Sequence, residues 1–223
     1  MNNKYVHRSK ISEAKFRQLV KCFAMDFTAT QTTELTRLKR NTVNRLYSAM
    51  RYRIAEYSRQ TSPISGETET GESYFGPKRV RGKRDRGSRR ETIVFGLFKR
   101  DGEVYTEIIS DVKTATLQDL IRGLVDAESV IHTDGWRGYD GLVDLGFEKH
   151  FRHTDGEFSK GNGNHINGIE SFWGYAKHRL VKFNGIPKEL FELYLKETEF
   201  RFNHQGQNLY LALLKLFRDQ PLF

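Results

Sequence analysis

One narrow polar stripe on a predicted late helix carries the side chains best suited to chemistry. Asn167, Glu170, Gly174 and Lys177 are spaced at i, i+3, i+7 and i+10, which places them along one side of a helix. An apolar stripe lies directly beside it, made of Ile166, Ile169, Trp173, Ala176 and Leu180. A carboxylate and an amine that border a buried face are candidate site groups that could act on a ligand. A half-exposed helix with an incidental Glu and Lys also explains the pattern.

A second candidate, Asp134, stands where an apolar stretch ends. The segment SVIHTDG, residues 129–135, reads as a short strand that runs into a turn. Ligands of open α/β sheets gather outside the carboxyl ends of the strands, so an acid at this point is a candidate site residue. The other interpretation is structural, because an Asp-Gly pair after a strand often forms only a turn.

The elements that must position these residues form a predicted α/β domain with a mixed sheet. Two early strands are joined by the Asp-Gly pair 101–102, which favours a tight hairpin. Helices then alternate with short strands before two long helices close the chain. The predicted strands are 67–76, 91–100, 103–111, 129–135 and 148–153, and the predicted helices are 116–126, 139–147, 165–183 and 187–203.

The positive charge of the chain is concentrated at its beginning. The net charge is +9, and residues 1–60 alone carry 13 Lys and Arg against 4 Asp and Glu, so the remainder is neutral. A basic module attached to a neutral domain is typical of nucleic-acid-binding proteins. Together with the Ser, Pro and Gly residues of the segment 58–71, this predicts a boundary near residue 60, with domains 1–60 and 61–223.

Residues 1–60 also show the helix order of a helix-turn-helix domain. A first helix over 12–24 is capped by Ser12, a short helix covers 29–36, and a longer helix opens at Asn41, whose side chain can cap it. The last of these helices would enter a DNA major groove. The predicted DNA contacts on it are Asn41, Thr42, Asn44, Arg45, Arg51 and Arg53. The alternative is an ordinary three-helix bundle with a solvated polar face.

Composition excludes several classes of protein. No apolar run approaches the roughly 18 residues that a membrane span requires, and the N-terminus has no secretory pattern, so we expect a cytoplasmic protein without a membrane partner. The single cysteine, Cys22, excludes an internal disulfide framework. The basic segment 76–90 is expected to be a solvated loop or a phosphate contact.

Four longer motifs resemble a family of short bacterial insertion-sequence transposases that carry an ISXO-like transposase domain. They are ESYFG at 72–76, VFGLFKRDGEVYT at 94–106, IHTDGWRGYD at 131–140 and the long stretch from NHINGIESFW to FRFN at 164–203. The resemblance implies a ribonuclease-H-like fold behind the helix-turn-helix domain. It also implies the DDE chemistry of that superfamily, in which acidic residues hold two divalent cations, Mg²⁺ or Mn²⁺, for an in-line phosphodiester displacement.

The same resemblance assigns roles to residues of this chain. Asp134 matches the second acid and Glu170 the third, with Asn167 as the residue that some members use instead. Lys177 would hold a DNA phosphate as a point charge. The implied partners are double-stranded DNA, as terminal inverted repeats and as target, and a second copy of the chain, since two element ends are cut.

This sequence departs from the family pattern at Gly71. The pattern reads E-x-D-E-S-Y-F-G, whereas residues 69–76 read ETGESYFG, so glycine stands at the first acid. Strand alternation places Glu69 and Ser73 on the same face as Gly71, about 6 to 7 Å along the strand, and Glu72 on the other. We expect Glu69 to be a weak substitute and catalysis to be impaired. The alternatives are a non-catalytic DNA-binding protein that occupies the terminal repeats, or a regulator with an α/β sensor domain.

Overall fold

The computed structural model describes residues 3–60, 65–76, 91–100, 102–134, 139, 146–147, 150–153, 167–183 and 185–223. They form two compact units, one built from residues 1–60 and 187–223 and the other from residues 61–186. In chain order the elements are α1 (Glu13–Ala24), α2 (Ala29–Thr36), α3 (Arg40–Arg59), β1 (Glu67–Phe75), β2 (Thr92–Lys99), β3 (Glu103–Ile109), α4 (Thr114–Leu124), β4 (Val130–Asp134), β5 (His150–His153), α5 (Asn167–Val181), a 3-10 turn (Lys188–Leu190), α6 (Phe191–Asn203) and α7 (Leu209–Asp219).

Local capping defines the helices of the first unit. The Ser12 side chain accepts a hydrogen bond from the Lys15 amide at 3.3 Å, as predicted. Thr28 and Gln31 form a capping box at the start of α2. The predicted cap of α3 is wrong, because the helix begins at Arg40 with Lys39 as its N-cap and no side-chain cap. The Lys39 carbonyl accepts the first helical bonds, so Asn41 already lies within the first turn.

The last two helices belong to the first unit, which corrects the predicted division at residues 60 and 61. Side chains of α1, α3, α6 and α7 share one apolar core, whose members include Phe16, Met50, Phe200, Leu213 and Phe217. Burial of this apolar surface stabilises a helical unit whose two halves are far apart in sequence. The sheet unit is therefore inserted between α3 and α6.

A five-stranded mixed sheet forms the second unit, in the order β3-β2-β1-β4-β5. The pairs β1–β2 and β2–β3 are antiparallel, while β4 runs parallel to β1 and β5 runs parallel to β4. Gly102 has φ +109°, the left-handed conformation that the predicted hairpin turn needs. The predicted α/β class, a mixed sheet flanked by helices, is confirmed.

The two faces of this sheet are covered differently. One face packs against α4 through an apolar cluster that contains Phe95, Leu97, Leu117 and Ile121. On the other face, α5 contacts β1 and β2 where Gly71 and Gly96 stand opposite each other in the register. The two glycines lower the sheet surface at this point, so that bulky side chains of α5 can approach the backbone closely.

Several predicted features fall wholly or partly outside the described residues. They include most of the helix predicted at 139–147, the basic segment from residue 77 to residue 90, and the linker residues 61–64. Pro187 precedes the 3-10 turn, so α6 starts at Phe191, later than predicted. Among the described residues, none of the helices has the length and apolar character that crossing a bilayer requires.

Candidate active site

Glu69 anchors the start of α5, the helix that carries the candidate acid Glu170. Glu69 is only 4% exposed, and its Oε2 accepts hydrogen bonds from the backbone amides of Gly168 at 2.8 Å and Ile169 at 3.0 Å. Arg100 Nε lies 3.6 Å from its other oxygen. A carboxylate at a helix N-terminus satisfies free amides and interacts favourably with the helix dipole. Glu69 therefore joins β1 to α5.

Gly71 lies two residues after Glu69 on the same face of β1. A side chain at this position would face the apolar side of α5. A Cβ atom at this position would lie 3.6 Å from Ile169 Cγ2 and 3.7 Å from Trp173 Nε1, which are ordinary contacts. Packing alone would thus accept a small side chain here. Position 71, where the family resemblance expects an acid, contributes no carboxylate to this face.

Glu72 faces the other side of the sheet, as strand alternation predicted. Its Oε2 accepts a hydrogen bond from the hydroxyl of Tyr139 at 2.8 Å. Tyr139 is fully buried and belongs to the apolar cluster that packs against α4. The acid next to Gly71 in sequence therefore has a structural partner on the opposite face.

The other predicted site residues lie at the ends and on the surface of their elements. Asp134 is the last residue of β4 and its backbone pairs with His153, while its side chain lies outside the described part of the structure. Asn167, Glu170 and Lys177 are exposed on α5. The predicted arrangement of α5, with a polar stripe beside a buried one, is confirmed. Convergence of Glu170 with Asp134 stays a prediction.

The described donors do not fit a two-cation site. Mg²⁺ and Mn²⁺ prefer oxygen ligands, and Mg²⁺ is usually bound through one or two carboxylates together with water and substrate phosphate. Position 71 contributes none, and the two α5 amides already use one oxygen of Glu69. Within the described ranges, no three His, Cys, Asp or Glu side chains are grouped so that they could hold a metal ion. The structure therefore disagrees with the two-cation site that the family resemblance implies, and the main reason is that Gly71 supplies no carboxylate.

The predicted DNA-contacting residues of α3 divide into exposed and buried ones. Asn41, Asn44 and Arg45 are exposed, Thr42 is partly buried, and the guanidinium of Arg45 lies 5.0 Å above the ring of Phe223. These residues stay candidates for DNA contact.

Arg51 is a correction to that prediction. It is 6% exposed, its Nε donates to Glu197 Oε2 at 2.6 Å, and its guanidinium lies 4.0 Å above the Tyr194 ring. Arg51 therefore holds α3 against α6 and does not face solvent. Arg53, partly buried, donates to the Pro221 carbonyl at 2.7 Å.

Sequence reasoning missed three contributors to this site. Glu69 was considered only as a weak metal ligand, and its helix-anchoring role depends on amides about one hundred residues away. Gly96 and Trp173 pack against each other next to Gly71. The signal that could have indicated close packing of a helix on the sheet was Gly96, the glycine within VFGLF, which pairs with Gly71 on the neighbouring strand.

The comparisons with known proteins agree with the motif resemblance. Residues 63–203 match the family described as ISXO2-like transposase domain. An uncharacterized transposase-like protein of Haemophilus influenzae is 46% identical over 113 residues, which cover 51% of this chain and 91% of that protein.

Among solved structures, the catalytic core domain of BIV integrase shows 13% identity and a TM-score of 0.41, covering 68% of this chain and 95% of its own. The Mos1 transposase paired-end complex with left transposon end shows 11% identity and a TM-score of 0.40, covering 95% of this chain and 77% of its own. These likenesses are remote, and the assignment rests on the family match over more than half of the sequence. The chain belongs to the family of proteins with an ISXO2-like transposase domain.

Proposed function

We propose that this protein is an insertion-sequence transposase that binds the ends of its element, and that its DNA strand cleavage and transfer are impaired. The single observation that supports the proposed impairment is the structural environment of Gly71. It contributes no carboxylate, and the face it lies on is covered by Ile169 and Trp173 of α5. The family membership supports the transposase assignment itself.

The nearest acid on that face is poorly placed to compensate. Glu69 lies two residues away, which moves a side chain by about 6 to 7 Å along a strand. Its Oε2 is also engaged by the amides of Gly168 and Ile169, and withdrawing it would leave those amides without their acceptor. An unsatisfied buried donor costs about 1 to 3 kcal/mol, so the carboxylate stays with the helix.

The remaining site residues keep the roles that the resemblance implies. Asp134 at the end of β4 and Glu170 in the first turn of α5 are the proposed second and third acids, with Asn167 as the alternative to Glu170. Lys177 is exposed two turns further along α5, where its ammonium group can contact a DNA phosphate.

Binding of double-stranded DNA is proposed for the exposed side of α3. Asn41, Asn44 and Arg45 offer amide and guanidinium groups of the kind that read base edges, and Thr42 can add a hydroxyl contact. A complex of two copies, one for each element end, completes the proposal. The second candidate, a non-catalytic protein that occupies the terminal repeats, is favoured by the same Gly71 if the loss of activity is complete.

A strand-transfer assay with Mg²⁺ or Mn²⁺ on element-end DNA tests the proposal. We expect Gly71→Asp to be more active than the unchanged protein by at least about tenfold, because even one acid that stabilises a transition state contributes this much. Gly71→Ala is the matched control and should stay as inactive as the parent. Equal activity of the parent and Gly71→Asp would contradict the impairment.

A DNA-binding measurement separates impaired chemistry from lost recognition. All three proteins should bind end DNA with the same affinity, since the proposed base-reading contacts lie on α3 and Lys177 of α5 is the same in all three. A parent protein that does not bind DNA would refute both candidate functions.

A further inference from the structure

Trp173 carries a buried hydrogen-bond donor beside the missing side chain of Gly71. The indole is 2% exposed, and its Nε1 has no hydrogen-bond partner among the residues that the structure describes. A Cβ atom built on Gly71 would lie 3.7 Å from that nitrogen. Buried polar groups in folded proteins are nearly always paired, so a stranded donor needs an explanation.

The distances allow a polar side chain at position 71 to satisfy this donor. The oxygens of an Asp or Asn side chain lie roughly 2.4 Å from its Cβ atom. With Cβ at 3.7 Å from Nε1, an oxygen can reach the usual N–H···O distance of about 2.7 to 3.2 Å. Alanine fits the same space without supplying an acceptor.

Neighbouring contacts fix the donor in this place. Gly96, paired with Gly71 across the strands, lies directly under the indole, and a Cβ atom there would come within 2.6 Å of Trp173 Cζ2. The Phe172 and Phe75 rings pack against the same indole, with centroids 5.1 and 6.1 Å away. The indole is therefore held toward position 71 whether or not a side chain is present.

We infer that Trp173 is a positioning residue that orients a hydrogen-bond acceptor at position 71. Glycine at this position leaves the indole Nε1 of Trp173 without an acceptor, while the packing around the indole is intact. The inference rests on the proposed function only in naming an acid as the natural acceptor. It implies that a single substitution, Gly71→Asp, is accommodated by the fold without changes elsewhere.

Four full-length variants test the pairing without DNA or metal ions: Gly71→Asn, Gly71→Ala, Trp173→Phe and the double variant Gly71→Asn with Trp173→Phe. Asn supplies a neutral acceptor of the size of Asp, and Ala is its control. The readout is hydrogen exchange of the Trp173 indole N–H, measured by NMR. This resonance is identified because it is absent from the spectrum of Trp173→Phe. Urea unfolding provides the second readout.

We expect the indole N–H to exchange at least about fivefold more slowly in Gly71→Asn than in Gly71→Ala, as one added hydrogen bond predicts. The effects of Gly71→Asn and Trp173→Phe on unfolding should also be non-additive. Equal exchange in the two position-71 variants would overturn the inference, even if Trp173→Phe fails to fold. Since neither readout involves catalysis, an inactive Gly71→Asp would refute the proposed function alone.

Discussion

Two glycines that face each other across β1 and β2 should respond oppositely to the same added methyl group. In Gly96→Ala, the new Cβ would lie 2.6 Å from Trp173 Cζ2 and 2.8 Å from Ile169 Cδ1. In Gly71→Ala, the nearest atoms are Ile169 Cγ2 at 3.6 Å and Trp173 Nε1 at 3.7 Å. Carbon atoms pack best at about 3.5 to 4.0 Å, so only the first variant requires the helix to move.

The magnitude follows from two opposing effects. Overpacking a buried site costs about 1 to 3 kcal/mol, and Trp173 and Ile169 are both almost fully buried. Replacing glycine by alanine also restricts the unfolded chain, which contributes about 0.4 to 1 kcal/mol of stability. We therefore expect Gly96→Ala to lower the free energy of unfolding by about 1 to 2 kcal/mol and Gly71→Ala to leave it unchanged or slightly raised.

Urea unfolding of the full-length variants, followed by tryptophan fluorescence, measures this difference. Both tryptophans lie in the sequence of the sheet unit, so the signal reports on that unit. If the two alanine variants differ by less than about 0.5 kcal/mol, smaller than the expected overpacking cost, the close packing of α5 on this strand pair is refuted. The expected result would also show that packing does not require glycine at position 71.

Three further predictions concern buried polar groups. Glu69→Ala should lower the free energy of unfolding by about 1 to 3 kcal/mol in urea titrations, because the Gly168 and Ile169 amides lose their acceptor, and an effect below about 0.5 kcal/mol would contradict the anchoring role. Glu197→Ala should cost about 3 to 5 kcal/mol, since Arg51 and Arg201 both donate to this buried carboxylate and would lose it. Glu192→Ala removes the exposed partner of Arg59; it is the control and should cost below about 1 kcal/mol. Burial raises the pKa of Tyr47 from 10.0 to about 12. Because the folded state holds this proton more tightly, the contribution of the protonated hydroxyl to stability is complete below pH 10 and is lost between pH 10 and 12, by roughly 2 to 3 kcal/mol at most. Tyr47→Phe should lack this pH-dependent loss in the free energy of unfolding, and parallel curves of stability against pH for the two proteins would refute it.

The features that sequence reasoning predicted correctly depend on near neighbours in the chain. The cap at Ser12 involves a side chain and an amide three residues apart. The hairpin between β2 and β3 follows from an Asp-Gly turn, and the two stripes of α5 follow from helical periodicity.

The features that the sequence left open depend on distant partners. Arg51 looked like one more basic residue on a DNA-facing helix, yet Glu197 on α6 draws it into the interior of the helical unit. Nothing near α6 and α7 in sequence indicates that they complete this unit, because their apolar partners lie on α1 and α3.

By itself, the sequence therefore determined the family, the order of the described elements up to α6, the separation of basic and neutral parts, and the glycine where the family resemblance expects an acid. Only the tertiary structure decided what surrounds that glycine. Glu69 is engaged by α5, Glu72 is engaged on the opposite face, and the indole of Trp173 points at the empty position. The physical reason is that the packing and hydrogen-bond partners of these side chains come from segments 67 to 100 residues away, which local patterns do not encode.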